Sequence, residues 1–214
     1  GECNKSTTNR PCPRLPVFRN QSAAYSGTEE RHWLLPAEAA ALYDRLCEMP
    51  GGVNERLAEG ACFRVLKIMF VCHGNICRSP MAEFVMKDLV TKAGKRGAFE
   101  IASAAVSREE LGNPVYPPAK RKLLEHGIRC DGHAARQMTR ADYDKFDYII
   151  GMDSSNLRGM QRICGGDPEH KFSLLMEHTN RPGDVADPWY TGDFEATWRD
   201  VYEGCTALLK EISG

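Results

Sequence analysis

The stretch 65–93 constrains the fold most. An almost unbroken apolar run, VLKIMFV, passes through a turn holding Cys72, His73, Gly74, Asn75, Ile76, Cys77, Arg78 and Ser79 into a segment of helical apolar spacing. The run reads as a strand over 65–71, and 80–93 reads as a helix with Ser79 as N-cap, Pro80 in the first turn and Gly94 past the end. The same alternation repeats downstream. Strands are expected at 99–103, 148–152 and 171–175, the third strand of the chain being apolar enough to be covered on both faces. Helices are expected at 118–126, from Thr139 in a short piece, after an Asp153 or Ser154 cap through 163, and over 194–212. Strands separated by helices are joined by right-handed crossovers, which makes the sheet parallel. The expected fold is α/β, a three-layer sandwich with a four-stranded parallel sheet flanked by helices on both faces. In such sheets ligands gather beyond the carboxyl ends of the strands, where 72–79 falls.

Residues 1–60 stand apart as an N-terminal extension preceding a domain over 61–214. The first 28 or so are rich in Pro, Asn, Ser, Thr and Arg and read as a flexible leader without catalytic pattern. From Leu35, the positions Ala39, Leu42, Tyr43 and Leu46 follow helical spacing, with Pro36 suited to a first turn and Gly51-Gly52 to a stop. One amphipathic helix is expected there, its role unknown. The chain opens on Gly1 rather than Met, so a natural start and any targeting signal need not lie within it.

Composition excludes several classes of function. A formal charge of −1 leaves no basic surplus for a phosphate backbone, so nucleic acid is not an expected partner. No apolar run approaches the ~20 residues that span a bilayer, so no membrane role is expected. Nine cysteines without a CxxC pair and six scattered histidines indicate neither a disulfide framework nor a metal site. Reduced thiols in the cytoplasm fit best.

The turn after the first strand has a chemical reading. Consecutive backbone N–H groups leading into a helix N-terminus form an anion receptor, since they lack intrahelical partners and the dipole adds positive charge. Gly74 lets the backbone curl tightly, and Asn75 tolerates a left-handed conformation. Arg78 brings a planar fork able to hold two oxygens of a phosphate. The donors that bind a phosphate also favour a thiolate at Cys72, at the mouth of the loop, and Ser79 can aim its hydroxyl at that sulfur. A buried cysteine is otherwise a small hydrophobe, and Cys72 with Cys77 can be read as a redox pair. A thiolate that attacks a phosphate monoester also needs an acid for the leaving oxygen. Asp187 in ADPWY is the candidate, with Asp167 before Pro168 as rival, and the aromatic pair Trp189 and Tyr190 favours Asp187 because it can wall a pocket.

The run 72–80, CHGNICRSP, resembles the signature of the low-molecular-weight protein tyrosine phosphatase family, a Cys-x5-Arg-Ser loop near the start of the domain. The resemblance continues through IASAAVS at 101–107, GNP at 112–114, HGI at 126–128, HAARQ at 133–137, MDSSNL at 152–157 and DPWY at 187–190. It implies hydrolysis of phosphotyrosine, in proteins or peptides, and of small aryl phosphates through a cysteinyl-phosphate on Cys72. Arg78 is then the phosphate clamp, and Asp187 serves as acid and later as base on the attacking water. No metal or cofactor is implied. The family also implies a supporting network of Asn75, Ser79, Ser103 and His133, and a Cys72–Cys77 disulfide under oxidant.

The chain departs from the family at His73, where many members carry an apolar residue, and at 107–110, which lack an aromatic. The acidic pair Glu109 and Glu110 would favour substrates with basic flanks. A protein-arginine phosphatase on the same scaffold would tend to carry threonine in place of Ile76 and to lack the Trp189-Tyr190 pair. An arsenate reductase would need further cysteines near 150–155, whereas Cys130 and Cys164 lie elsewhere. A non-catalytic phosphotyrosine-binding module would be expected to lose Cys72 or Asp187.

Overall fold

The computed structural model describes residues 64–213; the leader and helix expected over 1–60 lie outside the described residues. The described chain is an α/β sandwich whose sheet has the order β2-β1-β3-β4, all parallel. The strands are β1 (Leu66–Cys72), β2 (Phe99–Ala105), β3 (Tyr148–Gly151) and β4 (Phe172–Leu174). β1 is central, pairing Cys72 with Ala105 on one side and Val71 with Gly151 on the other.

Alternation along β1 sorts its side chains between two cores. Ile68, Phe70 and Cys72 face one layer, where α1 (Arg78–Lys92), α2 (Pro117–Glu125) and α6 (Phe194–Ser213) pack. Met69 and Val71 face the other, against α3 (Arg140–Lys145) and α4 (Ser154–Cys164). Ile68, Met69, Phe70 and Val71 are all wholly buried, so each contributes ~1.5–3 kcal/mol of hydrophobic stabilisation. Both faces are covered, which is why this strand reads as continuously apolar. Helix α6 also crosses the 3-10 turn Leu175–His178 closely; a Cβ on Gly204 would stand 2.5 Å from Leu175 Cγ.

One local expectation is corrected. Ser79 is not the N-cap of α1: the helix begins at Arg78 with Cys77 in the capping position, and Ser79 turns inward. Its hydroxyl stands 3.0 Å from Cys72 Sγ and 3.3 Å from the Ala104 carbonyl, and a single proton serves one of them at a time. Asn75 takes the left-handed conformation expected of it, at φ 59°, whereas Gly74 adopts no positive φ. Glycine at 74 instead makes room for a neighbour, since a Cβ there would lie 3.1 Å from Glu110 Cγ. The four-residue helix α5 (Pro188–Thr191) was not expected; Asp187 is its N-cap and Pro188 its first residue.

Candidate functional site

Cys72 ends β1, and 73–77 carry the chain from the sheet edge to the N-terminus of α1. The Asn75 N–H points back at Cys72 Sγ over 3.3 Å, beside the Ser79 hydroxyl. Asn75 is wholly buried and every polar group on it has a partner. Its Nδ2 donates to Ser79 Oγ at 3.0 Å and Ser103 Oγ at 2.8 Å, its Oδ1 accepts from the Arg136 N–H at 3.1 Å, and its carbonyl meets His133 Nε2 at 2.8 Å. A carbonyl only accepts, so that contact assigns the His133 proton to Nε2. Two sequence-distant segments, together with neighbouring Ser79, thus hold one residue in the left-handed region, offsetting a backbone cost of ~1–2 kcal/mol.

The network extends beyond the expected members. Ser103 donates to Glu83 Oε2 at 2.5 Å, and Glu83 pairs with Lys87 one turn along α1. Arg136, whose N–H reaches Asn75, is held by Asp142 through contacts of 3.0 and 3.1 Å. Burial pushes the Asp142 carboxyl up, but the Arg136 and Thr139 hydrogen bonds outweigh it and hold the group below the usual carboxylate range.

Arg78 is 4% exposed and held by two carboxylates: Nη1 meets Asp153 Oδ2 and Nη2 meets Asp187 Oδ2, each at 2.6 Å. Burial weighs against its charge, but Cys72, Asp187 and Asp153 more than compensate, and the guanidinium is raised above its ordinary value. Asp153 also caps α4, accepting from the Asn156 N–H at 2.8 Å. Its carboxyl is disfavoured as an anion by burial, yet hydrogen bonds from Ser155, Arg78 and the Asn156 N–H hold it below the usual range. Sequence reasoning saw the cap and missed the grip on Arg78. Cys77 is 7% exposed, and burial first, then the nearby Cys72 and Asp187, push its thiol up to about 12. Cys77 therefore keeps its proton at neutral pH, and neither sulfur is in a disulfide.

These groups line one cleft of about 320 Å³. Its floor is Cys72, Arg78 and Ile76; one wall carries Asp187, Trp189 and Tyr190; the other carries His73, Gly74, Glu109 and Glu110. His73 Nε2 lies 2.8 Å from Glu109 Oε2 on that second wall. Trp189 leans on Tyr116, the ring centroids 5.8 Å apart, and Tyr116 in turn meets Phe194 at 6.1 Å. Tyr116 was overlooked in the sequence, although the flanking prolines of NPVYPP were a signal of a fixed turn. Asp167, the rival acid, is far from the cleft: it accepts from Tyr143, Lys171 and Phe172 and serves the α4–β4 connection. Cys130 and Cys164 are buried and neither lines the cleft that holds Cys72. Among the described residues no group of His, Cys, Asp and Glu side chains is arranged to hold a metal ion, and no helix is long and apolar enough to cross a membrane.

Known proteins show the same arrangement of chain. The profile of the family described as low molecular weight phosphotyrosine protein phosphatase matches residues 67–214. The low molecular weight protein-tyrosine-phosphatase YfkJ of Bacillus subtilis is 38% identical over 150 residues, 69% of this chain and 96% of that protein. Its crystal structure aligns with a TM-score of 0.68, covering 72% of this chain and 97% of that one at 37% identity. The low molecular weight protein tyrosine phosphatase of Streptococcus pyogenes aligns at 0.62 with 41% identity, over 69% and 93% of the two chains. A Drosophila arginine phosphatase aligns at 0.63 with 28% identity, over 70% and 99%. The sulfur, the two-carboxylate arginine and the extent of these matches lead to one conclusion: this chain belongs to the low-molecular-weight protein tyrosine phosphatase family and is a cysteine-based phosphatase.

Proposed function

We propose that the chain hydrolyses phosphotyrosine in peptides whose flanking residues are basic, with Cys72 as nucleophile, Arg78 as phosphate clamp and Asp187 as acid and base. The observation that carries this is the Cys72 sulfur meeting the Asn75 N–H and Ser79 hydroxyl at the base of a cleft where Arg78 and Asp187 lie 2.6 Å apart. The ester's dianion takes the loop N–H groups and the Arg78 face that Asp187 now occupies. Cys72 sulfur attacks phosphorus opposite the phenolic oxygen; as the S–P bond forms and the P–O bond breaks, protonated Asp187 gives its proton to that oxygen. The phenol leaves. The Asp187 carboxylate then takes a proton from water, whose oxygen attacks phosphorus and releases the thiolate and inorganic phosphate. Ser79 donates toward the departing sulfur, and Arg78 holds the equatorial oxygens throughout.

Ile76 and Trp189, the latter leaning on Tyr116, suit a phenyl ring, which is why phosphotyrosine is favoured over phosphoarginine. Glu109 and Glu110 put two carboxylates at the mouth, with His73 engaged to one of them. A reducing compartment, the cytoplasm, belongs to the same proposal, because an oxidised Cys72 cannot attack. Turnover of phosphotyrosine peptides with Lys/Arg or Asp/Glu flanks, beside phosphoarginine, tests the reading. Basic flanks are expected to raise kcat/KM about tenfold, and Glu109→Gln with Glu110→Gln to remove most of that gain. Equal rates for both flanks, or faster phosphoarginine turnover, would sink it.

A further inference from the structure

We infer that Thr197 and Asp200 of α6 are positioning residues for Asp187, acting through the backbone of Ala186; this rests on the reading of Asp187 as the acid. Asp187 begins a helix of four residues, too short to hold its own place. That helix is anchored by buried Pro188, while Trp189 is 62% and Tyr190 86% exposed. The segment before Asp187 supplies the other anchor.

Ala186 is gripped on both of its backbone groups by one face of α6. Its N–H donates to Asp200 Oδ2 at 3.1 Å, and its carbonyl accepts from Thr197 Oγ1 at 2.8 Å. Thr197 and Asp200 are three apart in a helix and so share a face. Thr197 is wholly buried; its hydroxyl also lies 3.3 Å from the Asp193 carbonyl, the longer of its two options. Asp200 is fixed in turn by Arg181, whose Nη2 reaches its Oδ1 at 3.2 Å while also holding Glu203. One residue earlier, the Val185 N–H donates to the Met152 carbonyl at 2.8 Å, next to the Asp153 that grips Arg78. With both backbone groups of Ala186 fixed to a rigid helix, the Asp187 Cα has little freedom to swing. Its carboxyl therefore stays on the Arg78 side of the cleft.

A misplaced acid has a specific kinetic consequence. A displacement of about 1 Å can cost ~10²-fold, and the loss falls on substrates whose leaving oxygen needs the proton. Thr197→Val keeps the shape and deletes the hydroxyl; Asp200→Asn, on a side chain 17% exposed, weakens the grip without burying a new group. For the full-length variants, kcat/KM should be compared for phenyl phosphate, a poor leaving group, and 2,4-dinitrophenyl phosphate, which leaves without help. Each variant is expected to lose about tenfold with the first and less than twofold with the second, and to add no further loss when combined with Asp187→Ala. Equal losses on both substrates, losses that add to Asp187→Ala, or unchanged rates would overturn the inference. Should Thr197→Val fail to fold, Asp200→Asn decides alone. Failure of the underlying reading is distinct: Asp187→Ala itself would then lose equally on both substrates.

Discussion

Asn75 and Ser79, which contact the Cys72 sulfur, are wholly buried and Arg78 nearly so, whereas Trp189 and Tyr190 at the rim of the cleft are 62% and 86% exposed. The cradle is held by hydrogen bonds that reach β2, α1 and the 133–137 segment, so it cannot change shape without leaving several buried groups unpaired. The rim is anchored at Ala186 and by the Tyr116–Trp189 contact, and its outer residues are free to meet substrates of different outline. The contrast teaches that phosphate chemistry, which needs fixed donors before the charge arrives, is placed where reorganisation is most costly. Recognition of the rest of the substrate is placed where movement costs little.

The largest effect that can break this comparison is at the sulfur. Cys72→Ser is expected to lower kcat on para-nitrophenyl phosphate by at least ~10⁴-fold while leaving the thermal midpoint within a few degrees, since the cradle's network does not pass through the sulfur alone. Activity that survives would deny the sulfur its part. Total inactivity of the wild type would instead favour a non-catalytic phosphotyrosine-binding module.

Asn75 is the sharper test, because it separates rigidity from chemistry. Asn75→Ala leaves Ser79, Ser103 and the Arg136 N–H each short of a partner and puts a Cβ-bearing residue without side-chain compensation at φ 59°. A loss of ~2–4 kcal/mol in urea unfolding is expected, with activity falling on the order of 10²-fold. Asn75→Gly should recover the conformational part of the stability loss and little of the activity. If glycine restored both, the hydrogen bonds would be dispensable.

At the rim the expected effects are small. Trp189→Ala should change unfolding stability by less than ~0.5 kcal/mol, because the side chain is largely exposed, while raising KM for aryl phosphates a few-fold through loss of a ring that lines the cleft. A stability loss comparable to that of Asn75→Ala would mean that the rim is part of the core after all.

Much of this was legible in local chemistry. The apolar run of β1, the Gly-Asn and Cys-x5-Arg spacing, the Asp153 cap of α4 and the Asp-Pro-Trp-Tyr of the acid segment each express a preference that a few neighbouring residues set. The contacts that were missed share another property. Arg78 and Asp153 are separated by 75 positions, and nothing in either stretch marks the other. Glu83 reads as an ordinary helix residue until Ser103, 20 positions on, is laid beside it by the parallel pairing of β1 and β2. Gly74 looked like a turn glycine, and only the approach of Glu110 gives its missing side chain a purpose.

The sequence by itself determined the layered α/β architecture of the described chain and singled out Cys72, Arg78 and Asp187, because periodicity and loop composition act over a few residues of covalently joined chain. Tertiary structure alone decided that Asp153 shares Arg78 with Asp187, that Ser79 faces the sulfur rather than capping a helix, and that α6 grips the residue before the acid. Those choices depend on which distant groups packing brings within about 3 Å, where a buried donor or acceptor must find a partner.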